Sequence, residues 1–526
     1  AFDEVTLNLG PFEQIFDENR PFFTEGVDLF RKGEIFFSRR VGGAPSGDAG
    51  ALETNEDVIE NPERVNLLNA VKISGRTQAG MGIGFFNAIT QNTYATIEDT
   101  LTMDRRKVLV EPIANYNVLV FDQQFNGNSS ISIVNTNVTR ENDFRDANTS
   151  AFVFDLADKE NRFRTSGRTV MSNVNDVDGN TTGFRSELDI ERIKGNFRYR
   201  FGHDFANETY DINDFGISNQ NNYNNFTAGA SYEIFVPTKT FNTYQLKLTA
   251  RHRRLYKPNV QTRNQINLDA FFILPSRFAL GGDFGYNSRD NNYFEPRVAG
   301  RYVTYGSRFS GNTWISSDYR KKLAIDIRVG YTKYFNDDPR ESRFLRTSPR
   351  YRFSDKFLII VSSELSKTEN DFGYVANNET GIYFGQRERT NIENSIQASF
   401  NFDPYKAIDL RFRNFWSTAD YSKNIFFELN DDGSLSPVDY DIAENNPNAN
   451  FNIWNLDLSF RWRFAPGSEA TLLYRNQIFN FDALSNLGYR ESLNNLFNES
   501  QQNTLSLKLT YFIDYNNVKS IFNKDS

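Results

Sequence analysis

The sequence has no cysteine and only two histidines among its 526 residues. Disulfides and thiolate metal sites are therefore excluded. Long apolar runs are missing as well: the longest, such as Phe357–Val361, hold only a few residues, whereas a transmembrane helix requires roughly 18 to 20. A helical membrane protein is thereby excluded. No signal peptide is visible at Ala1, so we expect the numbered chain to be a processed portion of its precursor.

Neither sign of charge dominates: the chain has 59 basic and 67 acidic residues, and its net charge is −8. Nucleic acid is not an expected partner, since proteins that bind phosphate chains are usually basic. Aromatic residues are abundant, with 50 Phe, 25 Tyr and 4 Trp, while mean hydropathy is low at −0.59. Membrane barrels combine both properties, because half of each strand faces the lumen and aromatic girdles mark the interfaces.

A clear strand pattern lies near the end of the chain, at Thr504–Tyr515. Apolar and polar residues alternate there with a period of two, which places them on opposite faces of a strand. Phe512 is the one exception. About 11 residues is the length of a tilted strand that crosses a bilayer, so we expect this stretch to be the last strand of a membrane barrel.

The same alternation recurs through the chain, for example at 244–251, 323–332, 408–413 and 456–464. In these runs the apolar residues face one way and charged residues the other. We predict that the charged set lines the lumen as a network of both signs. Its members are Arg328, Arg411, Arg413, Arg461, Arg463, Asp326, Asp409 and Asp457.

Connections of two lengths separate the strand-like runs. Short ones, such as 78–80, 159–161, 193–195 and 465–467, alternate with long polar stretches such as 206–223 and 430–449. Bacterial barrels have this arrangement, with long loops outside the cell. A soluble antiparallel sheet also alternates, but the many long strands and the missing helices favour the barrel.

We therefore predict an all-β, transmembrane antiparallel barrel of about 22 strands, within 20–24, whose first strand is Glu34–Gly43. An even count would place both termini in the periplasm. The predicted parts are a lead-in or plug segment at 1–32, the barrel at 33–515 and a periplasmic tail at 516–526.

Two motifs near the N-terminus make the sequence recognisable. ENRPFFTEGVDLF followed by EIFFSRRVGG resembles a family of Bacteroidetes outer-membrane proteins whose barrel is the domain of unknown function DUF5916. The matching residues include Arg20, Pro21, Phe22, Phe23, Glu25, Arg39 and Arg40, while Asn19 replaces the usual lysine. Further similarities, such as YFEPR at 293–297, span nearly the whole chain. The resemblance implies a barrel that often follows a family-9-like carbohydrate-binding domain, which is not in this chain.

Catalytic and metal-binding motifs are poorly represented. His203 could be a base or ligand, but a solvated histidine at the rim explains it better, and no GxSxG, HExxH or phosphate-binding loop occurs. The acidic loop Asn430–Ser434 has the oxygen-rich look of a calcium loop but lacks its spacing. We predict no catalytic residue, no metal and no cofactor.

The inward charges have two competing uses. They could set ion selectivity in an open pore, or pair with a plug in a filled lumen. The balanced signs and the Phe-rich start favour the filled lumen. Arg20, Arg39 and Arg40 could dock the lead-in, or be solvated near the rim.

The resulting hypothesis is a non-enzymatic, integral outer-membrane barrel that forms a plugged or narrow channel linked to glycan handling. The alternative is a structural or accessory subunit of a larger outer-membrane complex. The expected partners are outer-membrane lipid, other outer-membrane proteins or a glycan.

Overall fold

The computed structural model describes residues 21–24, 26–142, 144–336, 338–442 and 445–512. Strands dominate this part of the chain. The helices are α1 (Pro21–Thr24) and α2 (Tyr489–Leu496), with short 3-10 turns at Lys32–Glu34 and Ser38–Arg40. None of the helices in these ranges is long and apolar enough to cross a membrane.

The structure contains 28 strands in its described residues. The first fourteen are β1 (Glu56–Glu60), β2 (Leu67–Arg76), β3 (Met81–Thr90), β4 (Thr93–Asp99), β5 (Arg105–Glu111), β6 (Ala114–Phe125), β7 (Ser129–Arg140), β8 (Asp146–Ala157), β9 (Phe163–Asp176), β10 (Gly179–Arg192), β11 (Phe197–Ala206), β12 (Tyr223–Ile234), β13 (Thr243–Arg254) and β14 (Gln261–Ile273). The others are β15 (Ala279–Asn287), β16 (Asp290–Asn292), β17 (Val303–Tyr305), β18 (Arg308–Ser316), β19 (Leu323–Tyr334), β20 (Glu341–Ser354), β21 (Phe357–Asn378), β22 (Gly381–Asp403), β23 (Lys406–Asp420), β24 (Phe426–Leu429), β25 (Leu435–Val438), β26 (Ala449–Ala465), β27 (Ser468–Asp482) and β28 (Gln501–Thr510).

The wall is a closed barrel, and each described pairing between neighbouring wall strands is antiparallel, as the sequence predicts. Within the described residues, 21 strands follow one another around it from β2 to β28, each hydrogen-bonded to the next wall strand along the chain. The other seven belong to the loops. β1, β4 and β5 form a small sheet, β16 pairs with β17, and the β24–β25 hairpin extends from the edge of β22.

The two faces of the wall differ in polarity. In β19, Leu323, Ile325, Val329 and Tyr331 point one way and are 38–50% exposed, while Asp326 and Arg328 point the other way. The register pairs Leu323 with Tyr351 and Val329 with Leu345 of β20. A continuous exposed apolar face is unfavourable in water, so this outer face contacts lipid and the charged face lines the lumen.

The connections confirm the two lengths expected from the sequence. Short turns, such as those at 77–80 and 466–467, join the strands at one end of the barrel, and the long connections lie at the other. We call these the turn end and the loop end. The long connection between β27 and β28 contains the helix α2.

The predicted first strand, Glu34–Gly43, is wrong. This segment forms two 3-10 turns, and Gly33 and Glu34 adopt positive φ angles of 75° and 55°. The first wall strand is β2. The segment packs inside the barrel, where apolar neighbours surround it on several sides. Its alternation of apolar and polar residues therefore does not indicate a strand with one apolar and one polar face.

The chain enters the wall from the loop end. β2 ends at the short turn that begins with Thr77. After β28, the amide of Phe512 donates to Ser468 Oγ beside the short turn at 466–467, so β28 also ends at the turn end. The first and last described wall strands therefore run in the same direction, and the described wall contains an odd number of strands where the sequence predicted an even one. The reason is that residues 26–47 cross the lumen to the loop end before β2 begins.

Candidate functional site in the barrel lumen

Residues 26–47, which we call the luminal segment, pack against the inner face of the wall. Leu29, Phe30, Ile35 and Val41 are buried in one cluster with wall side chains. The wall contributes Phe86 from β3, Val118 and Val120 from β6 and Val134 from β7. These positions alternate with exposed Ile83, Leu119 and Ile133 on the lipid face. The hydrophobic effect therefore holds the segment to one side of the lumen.

Glycines in the wall allow this close approach. A Cβ atom at Gly84 would lie 3.2 Å from the ring of Phe30, and one at Gly82 would lie 2.8 Å from Leu29 Cδ2. Both positions face the lumen on β3. A larger side chain at either would push the segment away, so the sequence GIG in this strand, at 82–84, is matched to its occupant.

A buried carboxylate fixes the segment near the turn end. Asp122 of β6 has no exposed side-chain surface and lies 3.4 Å from Lys32 Nζ of the segment. It also accepts hydrogen bonds from Ser132 Oγ at 2.6 Å and from the Arg76 guanidinium. Burying a charge is costly unless partners compensate it, so Asp122 favours the state in which Lys32 is present.

A second ionic contact holds the middle of the segment. Arg168 of β9 lies 2.5 Å from Glu34 and 2.8 Å from Glu187, and it donates to the Gly33 carbonyl at 3.2 Å. The Gly33 carbonyl is available because the backbone turns there. Arg168 thus binds both the carboxylate of Glu34 and the backbone turn at Gly33.

A buried ion network lies at the loop end, on the same side of the lumen as the luminal segment. Arg140 lies 3.0 Å from both Glu111 and Asp214, and all three side chains are at most 6% exposed. Glu111 accepts from the amide and hydroxyl of Ser46, at 2.6 and 2.5 Å. The network joins the luminal segment, the wall and the loop between β11 and β12.

Loop residues extend this network. Arg145 lies 2.6 Å from Asp211 and 2.9 Å from Asp214. Burial disfavours the charge of Arg145, but the neighbouring carboxylates outweigh it and raise its pKa. Burial also disfavours the charge of Asp211 and would raise its pKa. Hydrogen bonds from Asn213 and Arg145 outweigh this effect, so the pKa of Asp211 is lowered. Both groups are therefore held ionised.

A polar cavity of about 650 Å³ lies beside this network. Arg39 and Arg40 of the segment line it together with Arg140, Arg145 and Asp211. Arg40 Nε donates to the Gly216 carbonyl at 3.1 Å, which ties the segment to the overlying loop. The two arginines of the SRR motif therefore face a mixed-charge cavity inside the barrel.

The charges predicted from alternation lie on the other side of the lumen. All eight are on the inward faces of β19, β23 and β26. Arg461 lies 3.2 Å from Asp409, and Arg463 lies 3.2 Å from Glu469. Asp457 pairs with Arg475 at 2.7 Å, and Arg413 donates to Asn455 at 3.1 Å. Asp409, Arg411, Asp457 and Arg461 line one cavity of about 490 Å³.

The remaining predicted charges belong to β19. Arg328 lies 3.2 Å from Asp283, and both side chains are 48% exposed. Asp326 accepts from the hydroxyls of Ser316 and Tyr319, each at 2.5 Å. These pairs lie within the wall and face solvent, and none of the contacts involves the luminal segment.

Some N-terminal motif residues lie outside the described residues, namely Arg20 and Glu25. Pro21 begins α1. Phe23 is buried with its ring 5.9 Å from that of Phe86, whereas Phe22 is more exposed and meets Phe23 edge-on at 5.0 Å. The predicted Ile513–Tyr515 end of the last strand and the tail at 516–526 are also outside the described residues.

The two histidines lie on the lipid face of the wall. His203 stacks on Phe226 at 4.6 Å, and its Nε2 is 2.8 Å from Asn224 Oδ1. His252 Nδ1 is 2.7 Å from Asn264 Oδ1. Within the described ranges, no group of three or more His, Cys, Asp or Glu residues could hold a metal ion. In the acidic loop, Asp432 accepts from the amide and hydroxyl of Ser434, which is a turn interaction.

Sequence reasoning missed the network around Arg140. Its partner Asp214 is 74 positions away along the chain and lies in a loop, so no periodicity connects the two. Asp122 did carry a signal, because it is the one acid on the inward face of the otherwise apolar strand VLVFD at 118–122. The extent of the luminal segment beyond residue 32 was also missed.

Comparisons with solved structures give distant similarities to outer-membrane barrels. The copper transporter OprC has a TM-score of 0.37 at 10% identity, over 86% of this chain and 72% of that chain. The channel DcaP of Acinetobacter baumannii has 0.29 at 11%, over 70% and 96%. The alcaligin receptor FauA from Bordetella pertussis has 0.33 at 11%, over 78% and 74%.

A search of curated proteins gave no match. A protein family described as "Domain of unknown function (DUF5916)" matches residues 1–522, which is nearly the whole chain. The resemblance carried by the RPFF and SRR motifs is thereby confirmed. This β-barrel chain, with its internally packed N-terminal segment, belongs to the DUF5916 family.

Proposed function

We propose that the protein is a non-enzymatic outer-membrane channel for polar solutes, narrowed by its luminal segment. One observation carries the proposal: within the described residues, one side of the lumen is filled by residues 26–47, while the Arg461–Asp409 and Arg328–Asp283 pairs on the other side are 38–48% exposed. In this arrangement the turn end faces the periplasm and the loop end the cell exterior, as in other bacterial barrels.

The open side has the chemistry of a selective passage. Arg411, Arg461 and Arg475 alternate with Asp409 and Asp457 around one concave surface. Charges that line a pore set its ion selectivity. Because both signs are present and paired, this surface favours polar or zwitterionic solutes and neutral saccharides over ions of a single charge.

Conductance of the purified full chain in planar bilayers tests this proposal. We expect stable steps smaller than those of an unobstructed barrel of this size, and a changed cation-to-anion preference in Arg411→Gln/Arg461→Gln. The matched control is Arg105→Gln, because Arg105 is exposed in the small loop sheet, 2.6 Å from Glu98. A protein that inserts in folded form and conducts nothing would refute the channel.

A specific feature of the lipid face favours a second candidate, an accessory subunit of a membrane complex. Asn87 Nδ2 donates to Asn115 and Asn117 Oδ1 at 2.7 and 2.8 Å, and Asn135 Nδ2 donates to Asn148 and Ser150 at 3.1 and 2.9 Å. These residues, the amide belt, occupy outward positions on β3 and β6–β8.

The amide belt reduces the apolar height of the wall on this side. Below Asn135, β7 offers lipid only Ile131 and Ile133, whereas β19 offers five apolar positions in succession, from Leu323 to Tyr331. A protein neighbour with hydrogen-bonding groups would suit this surface. Gentle detergent extraction followed by native mass spectrometry tests the idea with Asn117→Leu/Asn135→Leu. A stoichiometric partner that the double variant loses supports it, and a wild-type protein that runs alone contradicts it.

A further inference from the structure

A row of phenylalanine rings lies on the inner face of the wall, close to the loop end. Phe415 of β23, Phe451 of β26 and Phe479 and Phe481 of β27 form this group, which we call the aromatic strip. Phe451 has its ring centroid 5.9 Å from that of Phe415 and 5.3 Å from that of Phe479. In the register, Phe451 is paired with Phe481 and Ile453 with Phe479.

The strip is partly open to solvent. Phe451 is 8% exposed and Ile453 is 9% exposed, but Phe479 and Phe481 are 53% and 61% exposed. The buried side chains of Phe451 and Ile453 support the rings of Phe479 and Phe481, which are exposed to solvent. Exposed aromatic surface is common on the lipid side of a membrane barrel and unfavourable on a side that faces water, so the orientation of the strip decides its meaning.

Alternation along β26 and β27 fixes the orientation, because Phe451 and Phe479 fall on the same face as Asp457 and Arg475. The opposite face of these strands is covered. The helix α2 lies against Asn414 and Asn450, whose side chains alternate with those of the strip. Tyr489 Oη donates to Asn414 Oδ1 at 2.8 Å, and Ser492 Oγ donates to Asn450 Oδ1 at 3.0 Å. Asn450 and Asn452 are fully buried there. The strip is thus on the face of Asp457 and Arg475, inside the barrel.

Polar groups follow the strip down the two strands toward the turn end. The next inward pair in the register is Asn455 with Gln477, and the one after it is Asp457 with Arg475. The last two form an ion pair at 2.7 Å. A solute that enters from the loop end therefore meets exposed rings first, then amides and then charged hydrogen-bonding groups.

We propose that the aromatic strip is a binding site for neutral saccharide chains at the mouth of the open side of the lumen. A pyranose ring has an apolar face of C–H groups that can lie on an aromatic ring, and hydroxyl groups at its edge that can bond to amides, carboxylates and guanidinium groups. A simple ion would gain nothing from the rings, and a purely apolar solute would gain nothing from the polar pairs below them. The aromatic strip with the two polar pairs satisfies both parts of a saccharide.

This inference deepens the proposed channel function and rests on it for the passage of the bound chain, although binding itself can be measured without conduction. The probes are maltohexaose and cellohexaose, titrated by calorimetry into the full chain in lipid nanodiscs. We expect wild-type protein to bind at least one of them, and Phe479→Ala/Phe481→Ala to bind about tenfold more weakly.

Two further variants keep the test specific. Phe121→Ala removes an exposed ring from the lipid face of β6 and should bind the probe as the wild type does. Phe479→Trp keeps an aromatic face at the strip and should retain binding. Heat-modified mobility on gels shows whether each variant is folded.

Failure of this inference can be told from failure of the channel. Absence of binding of both probes, or equal binding by wild type and Phe479→Ala/Phe481→Ala, would overturn the saccharide site even if ionic conductance persists. Binding that depends on the strip supports the site even if bilayers show no conductance, in which case the channel is refuted and the site remains as a surface receptor.

Discussion

Charged side chains are buried on one side of the lumen and partly exposed to solvent on the other. On the side of β3 and β6–β9, ionisable groups such as Asp122 and Arg140 are 0% and 5% exposed and bridge the wall to other segments. On the side of β19–β27, Arg461 and Asp409 are 45% and 38% exposed and pair only within the wall. The same alternating pattern therefore produces a structural interface on one side and a solvated surface on the other.

The difference has an energetic consequence. A buried ion pair is a poor source of stability by itself, but breaking it leaves an uncompensated charge and is strongly destabilising. A solvated pair contributes little, and its loss is tolerated. Substitutions on the filled side should therefore act on stability, and those on the open side on permeation.

The largest effect is expected for Arg140→Met. The substitution leaves Glu111 and Asp214 buried without their shared cation, so the free energy of unfolding should fall by about 3–5 kcal/mol. Urea unfolding in lipid vesicles measures it. The matched control, Arg461→Met on the open side, should cost less than about 1 kcal/mol. Equal losses in the two variants would remove the distinction between the sides.

An intermediate effect is expected for Gly84→Leu. The new side chain would occupy the space of the Phe30 ring, 3.2 Å from the Cβ position, and overpacking of this kind costs about 1–3 kcal/mol. Protease accessibility of the luminal segment should rise as well. Gly75→Leu is the control, since nothing lies within 4 Å of a Cβ atom at Gly75. A segment that stays protected in Gly84→Leu would contradict the packing described for Phe30.

A smaller effect on stability, with a clear effect on permeation, is expected for Arg461→Glu. The change places a carboxylate beside Asp409, and it makes the open surface more negative. The reversal potential in a salt gradient should shift toward cation preference, while unfolding changes by only about 1 kcal/mol. An unchanged reversal potential would place the ion path away from this surface.

The smallest effect concerns acid. The pKa of Asp211 is lowered in the folded protein, so its contribution to stability is complete above the ordinary aspartate pKa and is lost as pH falls through the folded value. Protection of the amides in the loop 207–222, measured as hydrogen exchange relative to the intrinsic rate at each pH, should therefore fall on strong acidification. Asp211→Asn should show this lower protection already at neutral pH. A loop whose exchange is the same in both proteins at every pH would contradict the prediction.

Sequence periodicity was sufficient for the wall, because a strand with lipid on one side must alternate. The run Leu323–Tyr331 shows this, and the inward placement of Arg411 and Asp457 followed from it. Periodicity failed for Ile35 and Val41, which pack inside the lumen where apolar contacts come from several directions. It also failed for Arg140 and Asp214, because their contact depends on how a loop folds back over the lumen.

The position of α2 was likewise beyond the sequence pattern. Tyr489 and Ser492 sit in a polar connection that resembles a solvated loop, yet their hydroxyl groups complete hydrogen bonds of asparagines on the outer wall. Asn414 and Asn450 on an outward face were the available signal, since amides in that position require partners. Nothing in their spacing indicated that a helix from the next loop would supply them.

The most direct test of the two-sided lumen uses the absence of cysteine from the chain. Val134→Cys places a thiol under the luminal segment, and Ser459→Cys places one at mid-strand on the open side. Both variants would be labelled in intact membranes with a small, water-soluble maleimide, and again after denaturation as a control. We expect fast labelling at position 459 and almost none at position 134 before denaturation. Equal labelling of the folded variants would contradict an account in which residues 26–47 fill one side and the described part of the chain leaves the other to water.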